Sequence, residues 1–195
     1  DINIGTSGAL GRSDLTTDVA IATNGDIQLG GPAGTSTGYE LDNDEFSRVF
    51  SGGDVTISAI GQTTGEGNIF IGDLDVAVAA GSGTPTDGNI GAGSGLFLEA
   101  TDDAFVDGAV TITNGGADTV LAIDAANLMA IDVDNGNLRI EDANGAATGA
   151  IGLSAQTIFA ASDAAVNDLS NGTPTTADFD IRLGVNDGAV RDEGY

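Results

Sequence analysis

One three-residue phrase recurs along this chain: a glycine, then a small or acidic residue, then a β-branched residue or leucine. It stands at Gly25-Asp26-Ile27, Gly53-Asp54-Val55, Gly67-Asn68-Ile69, Gly88-Asn89-Ile90, Gly108-Ala109-Val110, Gly136-Asn137-Leu138 and Gly149-Ala150-Ile151. Short alternating runs recur with it, among them DVAIAT at 18, DVTISAIG at 54, LFLEA at 96, TVLAID at 119 and AIGLSA at 150, and several of them, such as DVTISAIG and AIGLSA, open on this phrase. Period-two alternation predicts strands with one buried face. Glycine tolerates the positive φ of a corner, and Asp or Asn can bond the local backbone there.

Successive glycines of the phrase are 28, 14, 21, 20, 28 and 13 residues apart, near multiples of seven. A coil of about 20 residues with three short faces produces such spacing in a solenoid. The reading is one all-β domain over 1–195, a β-solenoid of seven to nine coils, roughly 35–45 Å long at the cross-strand spacing. The rival is an antiparallel sandwich, which also offers many short strands. Against it, Asn24-Gly25 and Asn114-Gly115 are not regularly placed between paired runs.

Composition narrows the function. The formal net charge is −25, with no Lys and only Arg12, Arg48, Arg139, Arg182 and Arg191 as cations. Such a surface repels nucleic acid and anionic lipid. Hydrophobic residues at 41% are too many for an acidic disordered tail. Cys, His and Trp are absent, which removes disulfides, thiolate zinc sites and imidazole catalysis. No apolar run spans a bilayer. The chain opens on DINIG, already alternating, and reads as a mature product or part of something longer.

The stretch Gly31–Gly53 interrupts the pattern. Asp42 and Glu45 form a capping box, Leu41 and Phe46 a hydrophobic staple, and Phe46, Val49 and Phe50 one apolar face. This predicts a loop with one or two helical turns over 39–51, laid as a cover on hydrophobic coil surface rather than projecting to a partner. Met129 and Phe70, Phe97, Phe105 and Phe159 are expected inside, Arg139 and Arg182 outside.

YELDNDEFSRVFSGGDVTISA, Tyr39 to Ala59, resembles a segment of filamentous-haemagglutinin-like exoproteins, in which a Tyr-Leu-acidic stretch precedes a strand of the coil. GAIGLSAQTIFAASDAAVNDLSNG, Gly149 to Gly172, and DIRLGVNDGAVRDEGY, Asp180 to Tyr195, are similar to further coil units of that family. The resemblance implies a right-handed parallel β-helix in a secreted bacterial surface adhesin or fibre. The family's N-terminal secretion motif is not among these residues.

Asp-x-Asp pairs suggest hard-cation corners, foremost Asp73/Asp75 and Asp132/Asp134, with Ca²⁺ as the ion. Asp42/Asp44 and Asp178/Asp180 share the spacing. DVDNG departs from an EF-hand loop because its glycine comes one position early. Solvated corners are the plainer reading. Asp102-Asp103, Glu99 and Asp73/Asp75 also suit a polysaccharide-cleaving β-helix, but Trp is absent and aromatic platforms are few. The functional expectation is therefore non-enzymatic: a stiff acidic extracellular stalk, with no cofactor other than calcium. Its partners are a surface glycan or host-cell ligand, together with chain continuation or self-association at the solenoid ends. A filament subunit stacking end to end and a polysaccharide-binding or -cleaving module are the alternatives.

Overall fold

The computed structural model describes Ile4, residues 7–31, 39–63, 65–132 and 135–161, and the backbone at 183–184 and 190–191. The strands are β1 (Leu10–Arg12), β2 (Val19–Asn24), β3 (Ile27–Leu29), β4 (Tyr39–Leu41), β5 (Val49–Ser51), β6 (Val55–Ile60), β7 (Ile69–Ile71), β8 (Leu74–Ala77) and β9 (Gly95–Ala100). They continue with β10 (Ala104–Val106), β11 (Val110–Thr113), β12 (Val120–Ala125), β13 (Leu128–Asp132), β14 (Leu138–Ile140), β15 (Ala150–Ser154), β16 (Thr157–Ala161), β17 (Leu183–Gly184) and β18 (Val190–Arg191). One helix, α1 (Asn43–Phe46), lies between β4 and β5. Strand is 49% and helix 3%, so the chain is all-β.

Three sheets carry the architecture. Sheet I has the order β15-β12-β9-β6-β2, sheet II β16-β13-β10-β7-β3-β4, and sheet III β14-β11-β8. From β6 to β16 the chain visits sheets I, II and III in unbroken rotation. Every pairing within them is parallel, as are β1 and β5; among the described residues β17 and β18 pair antiparallel, and Glu141 and Ala147 form an isolated antiparallel bridge. A sandwich is excluded for these sheets, because its hairpins and Greek keys require antiparallel neighbours.

Register makes the core. In sheet I, Val55 aligns with Leu96, and Leu96 with Leu121 and then Ile151. A second column runs Ile21, Ile57, Leu98, Ile123, Leu153. Ile57 and Leu98 are 0% exposed and Ile123 1%. Branched aliphatics recur at one parity because each strand turns alternate residues inward. Burying each such side chain contributes about 1.5–3 kcal/mol. The columns of sheets II and III, including Ile27, Ile69, Leu74 and Val110, meet them in one cluster.

Paired strands of one sheet lie farther apart in the chain than the glycine spacing predicts. Leu121 lies 25 positions beyond its partner Leu96, and Ile69 lies 42 beyond Ile27. The short glycine intervals separate strands of different sheets, and the connections between them carry insertions. Sheet II, the widest, therefore holds six strands. At about 4.8 Å per step it spans roughly 24 Å, short of the expected rod.

Residues 39–51 also differ from expectation. The capping box is present: Asp42 accepts from the Glu45 N–H at 2.7 Å, and Glu45 reaches back to the Asp42 N–H at 3.4 Å. The helix is one turn long, within the expected one or two, and the strand Val49–Ser51 that follows it pairs with β1. Leu41, Phe46 and Val49 are buried in the common core, whereas alternation turns Phe50 away from them. The segment is thus a member of the stack, with β4 and β5 both in register, rather than a cover laid over it.

The aromatic residues likewise part company. Met129 is core. Phe70, Phe97 and Phe105 have the parity opposite to Ile69, Leu96, Leu98, Ala104 and Val106, and lie outside the core cluster. Phe70 and Phe105 instead stack on each other on adjacent strands, centroids 5.1 Å apart and planes 11° from parallel. Phe105 is buried as expected, at 5% exposure, whereas Phe70 and Phe97 are half-buried. The Phe159 side chain and Arg182 lie outside the described residues. Arg139 is exposed as expected and pairs with Glu141.

Candidate functional site

The residue before a strand does more than shape its corner. Asp18 Oδ1 accepts from the Asp54 N–H at 2.9 Å, and Asp54 Oδ1 from the Gly95 N–H at 2.8 Å, coil to coil along the starts of sheet I. Along sheet II, Asp26 Oδ1 accepts from the backbone N–H of Gly67 (2.9 Å) and of Asn68 (2.9 Å) and from Asn68 Nδ2 (3.0 Å). Asn68 Oδ1 takes the Asp103 N–H at 3.1 Å, and Asp103 Oδ1 the Leu128 N–H at 3.0 Å. Each coil thereby binds the first amides of the next. Gly67 sits at φ +87°, and a Cβ there would collide with the Gly61 backbone and the Thr101 side chain.

This ladder bears directly on the carboxylates proposed for calcium. Asp73 Oδ1 accepts from the Ala109 N–H at 3.0 Å, so one oxygen already serves the start of β11. Asp75 is exposed on β8, with its N–H donated to Asn43 Oδ1 at 3.0 Å. Asp132 is 0% exposed; it accepts from Asn135 Nδ2 at 2.8 Å, and its carbonyl from the Gly136 N–H at 2.8 Å. Asp134 and the Asp178/Asp180 pair lie outside the described residues. Among the described residues no three Asp, Glu, His or Cys side chains gather as metal ligands.

The acidic residues considered for sugar chemistry are held in similar ways. Glu99 Oε2 accepts from Ser58 Oγ at 2.8 Å across sheet I. Asp102 accepts from Asn127 Nδ2. Burial pushes the Asp103 carboxyl above the ordinary carboxylate range, opposed by the Leu128 N–H and reinforced by the charge of Asp102. The three carboxylates serve inter-coil bonds rather than converging on one cleft.

Asn89 is a residue whose role the sequence concealed. It reads as another corner asparagine, yet it is only 6% exposed. Its Nδ2 donates to the carbonyls of Phe46 and Val49, both at 2.9 Å, and its Oδ1 accepts the Ala77 N–H at 2.9 Å. One amide thus joins α1, β5 and β8 inside the stack.

The remaining feature is an open edge. β2 ends sheet I, while β4 adds a strand to sheet II on the side of β3 away from β7. The end of the stack is therefore stepped. Below β2 lies a groove of about 520 Å³ floored by Ala20–Asn24, with Leu10 and Tyr39 as its walls, each 38% exposed. Leu10 and the Tyr39 ring form the walls, and the outward side chains of the floor are the small Ala20 and Ala22 and the polar Asn24. A groove of this kind suits an extended backbone rather than a compact ligand.

Comparison with protein families, with curated proteins and with solved structures finds no match.

Proposed function

We propose that the chain is a right-handed parallel β-helix that serves as a non-enzymatic structural segment of a secreted bacterial surface adhesin or fibre, of the filamentous-haemagglutinin-like kind. The observation that supports this reading is the unbroken rotation of the strands through three parallel sheets. Parallel crossovers are right-handed in the great majority of sheets, which favours that hand here. Stiffness follows from the construction of the stack. Bending it would separate backbone ladders on one side and compress aliphatic columns on the other.

The charge fits a hydrated extracellular position. Asp75, Glu99 and Asp124 point outward from sheets III and I, and carboxylates far outnumber the five arginines. Such a surface keeps neighbouring stalks apart. Antibodies raised against the purified chain provide the test. They are expected to decorate intact, unpermeabilised source cells in immunogold micrographs; labelling only after the cells are opened would defeat the proposal.

A further inference from the structure

Five Asn-Gly pairs stand in the sequence, opening at Asn24, Asn114, Asn135, Asn144 and Asn171; the last lies outside the described residues. Such a pair can modify itself. The glycine nitrogen attacks the asparagine Cγ, its proton departs with the side-chain nitrogen as ammonia, and a succinimide ring closes. Water then opens the ring at either carbonyl, giving aspartate or isoaspartate. Glycine favours the attack because it carries no Cβ to hinder it. The pairs are therefore equivalent in sequence. Asn24, Asn114, Asn135 and Asn144 are also all exposed, so access does not rank them.

The glycine amide does rank them, because a nitrogen held in a hydrogen bond is not free to give up its proton or to swing toward Cγ. The Gly25 N–H donates to the Ile60 carbonyl at 2.8 Å, at the end of the β2–β6 ladder. Buried Gly115 donates to the Glu141 carbonyl at 2.7 Å, beside β14. Gly136 donates to the carbonyl of buried Asp132 at 2.8 Å, whose carboxylate also takes the Asn135 side-chain amide at 2.8 Å. A Cβ at Gly136 would lie 3.0 Å from the Val106 carbonyl oxygen, so this corner is closely packed. Freeing any of the three amides requires strands to part or a packed corner to open.

Gly145 differs. Its N–H donates to the Asp142 carbonyl at 3.0 Å, within its own turn, and a Cβ there would meet nothing within 4 Å. Residues 143–147 are all exposed. One side chain latches the turn: Asp142 Oδ1 accepts from the Asn144 N–H at 2.8 Å and from the Ala146 N–H at 2.9 Å. A short exposed turn opens locally, at far less cost than the separation of a sheet.

We propose that Asn144-Gly145 is a site of spontaneous deamidation restrained by the Asp142 carboxylate, whereas Asn24, Asn114 and Asn135 are protected by the fold. The product sets a further carboxylate beside Asp142. The inference rests on the hydrogen bonds of the four glycines and is independent of the cell-surface assignment.

The purified full chain is aged in mildly alkaline buffer, and each pair is followed by peptide mapping with mass spectrometry. In the folded chain Asn144 is expected to convert about tenfold or more faster than Asn24, Asn114 or Asn135. In urea strong enough to unfold the chain, the four rates should agree within about threefold, since the intrinsic reactivity of the pairs is alike. Asp142→Ala should speed conversion at Asn144 by about threefold or more, because it removes two of the bonds that close the turn. Slow conversion at the other three asparagines in that variant shows that its fold persists. Similar rates at all four in the folded chain, or a faster rate at Asn24, Asn114 or Asn135 than at Asn144, would overturn the proposal. So would an unchanged Asn144 rate in folded Asp142→Ala.

Discussion

Asp26 and Asn68 are 42 residues apart in the chain, yet one carboxylate oxygen of Asp26 meets both the backbone N–H and the side-chain amide of Asn68, at 2.9 and 3.0 Å. The same oxygen holds the Gly67 N–H. Coil-to-coil cohesion at this corner therefore depends on a single side chain.

Asp26→Ala is expected to destabilise the fold by about 2–3 kcal/mol, since it strands partly buried donors that had a charged acceptor. Asp26→Asn, which keeps one acceptor oxygen, should lose about half as much. Urea unfolding of the two variants checks both; an alanine variant as stable as wild type would remove the ladder from the account.

Asp103 predicts the opposite sign. Its carboxyl titrates above the usual range because burial disfavours the charge. A raised folded pKa means that the protonated form is favoured by folding. That contribution is full below the unfolded value and is lost as pH rises through the folded one. Asp103→Asn keeps an acceptor for the Leu128 N–H without the charge, as Asn68 already does one strand earlier. The variant should be more stable than wild type at neutral pH, by less than about 1 kcal/mol because the group is partly hydrated. The difference should shrink as pH falls toward about 4. Unfolding curves across that range give the answer, and a gain that grows in acid would reverse the assignment.

Asn89→Leu should cost about 3 kcal/mol or more, because the carbonyls of Phe46 and Val49 and the Ala77 N–H would all lose their partner. The same substitution at exposed Asn144 should change stability by less than about 0.5 kcal/mol. Thermal melts of the pair separate a buried clamp from a surface corner.

Leu98→Ala should cost about 2–5 kcal/mol, as expected for a cavity in a close-packed interior. Phe97→Ala, although it removes a larger side chain, should cost less, because alternation places Phe97 outside the core cluster. A larger loss at Phe97 than at Leu98 would show that the parity of β9 has been misassigned.

Sodium chloride should raise the melting midpoint by screening repulsion within a chain of net charge −25. Calcium at matched ionic strength provides the contrast: an extra rise lost on Asp73→Asn or Asp132→Asn would identify a cation site at those carboxylates.

The parallel ladder was legible in the alternating phrases, since DVTISAIG, LFLEA and TVLAID became β6, β9 and β12 in mutual register. Coil length was not, because glycine spacing records corners without saying which of them begins a new turn. Short strands such as β4 and β10 escaped notice, since three residues hold too little alternation to stand out. Phe70 and Phe97 are half-buried rather than inside, because hydrophobicity alone does not say which parity of a strand faces the core. The Asp73/Asp75 spacing suggests ligand geometry, and the bond of Asp73 Oδ1 to the Ala109 N–H is one that no local pattern reveals. Asn89 was hidden for the same reason.

Between Leu96 and Leu121 the chain takes 25 positions to come round, and between Ile27 and Ile69 it takes 42, yet both pairs sit in unbroken ladders. The sheets thus keep their backbone register although the connections between their strands differ in length. A graft spliced at the exposed residues 81–83, in the connection between β8 and β9 and away from buried Asn89, would lengthen that connection and leave neighbouring rungs aligned. The molecule is in that respect a ready scaffold for displaying foreign segments.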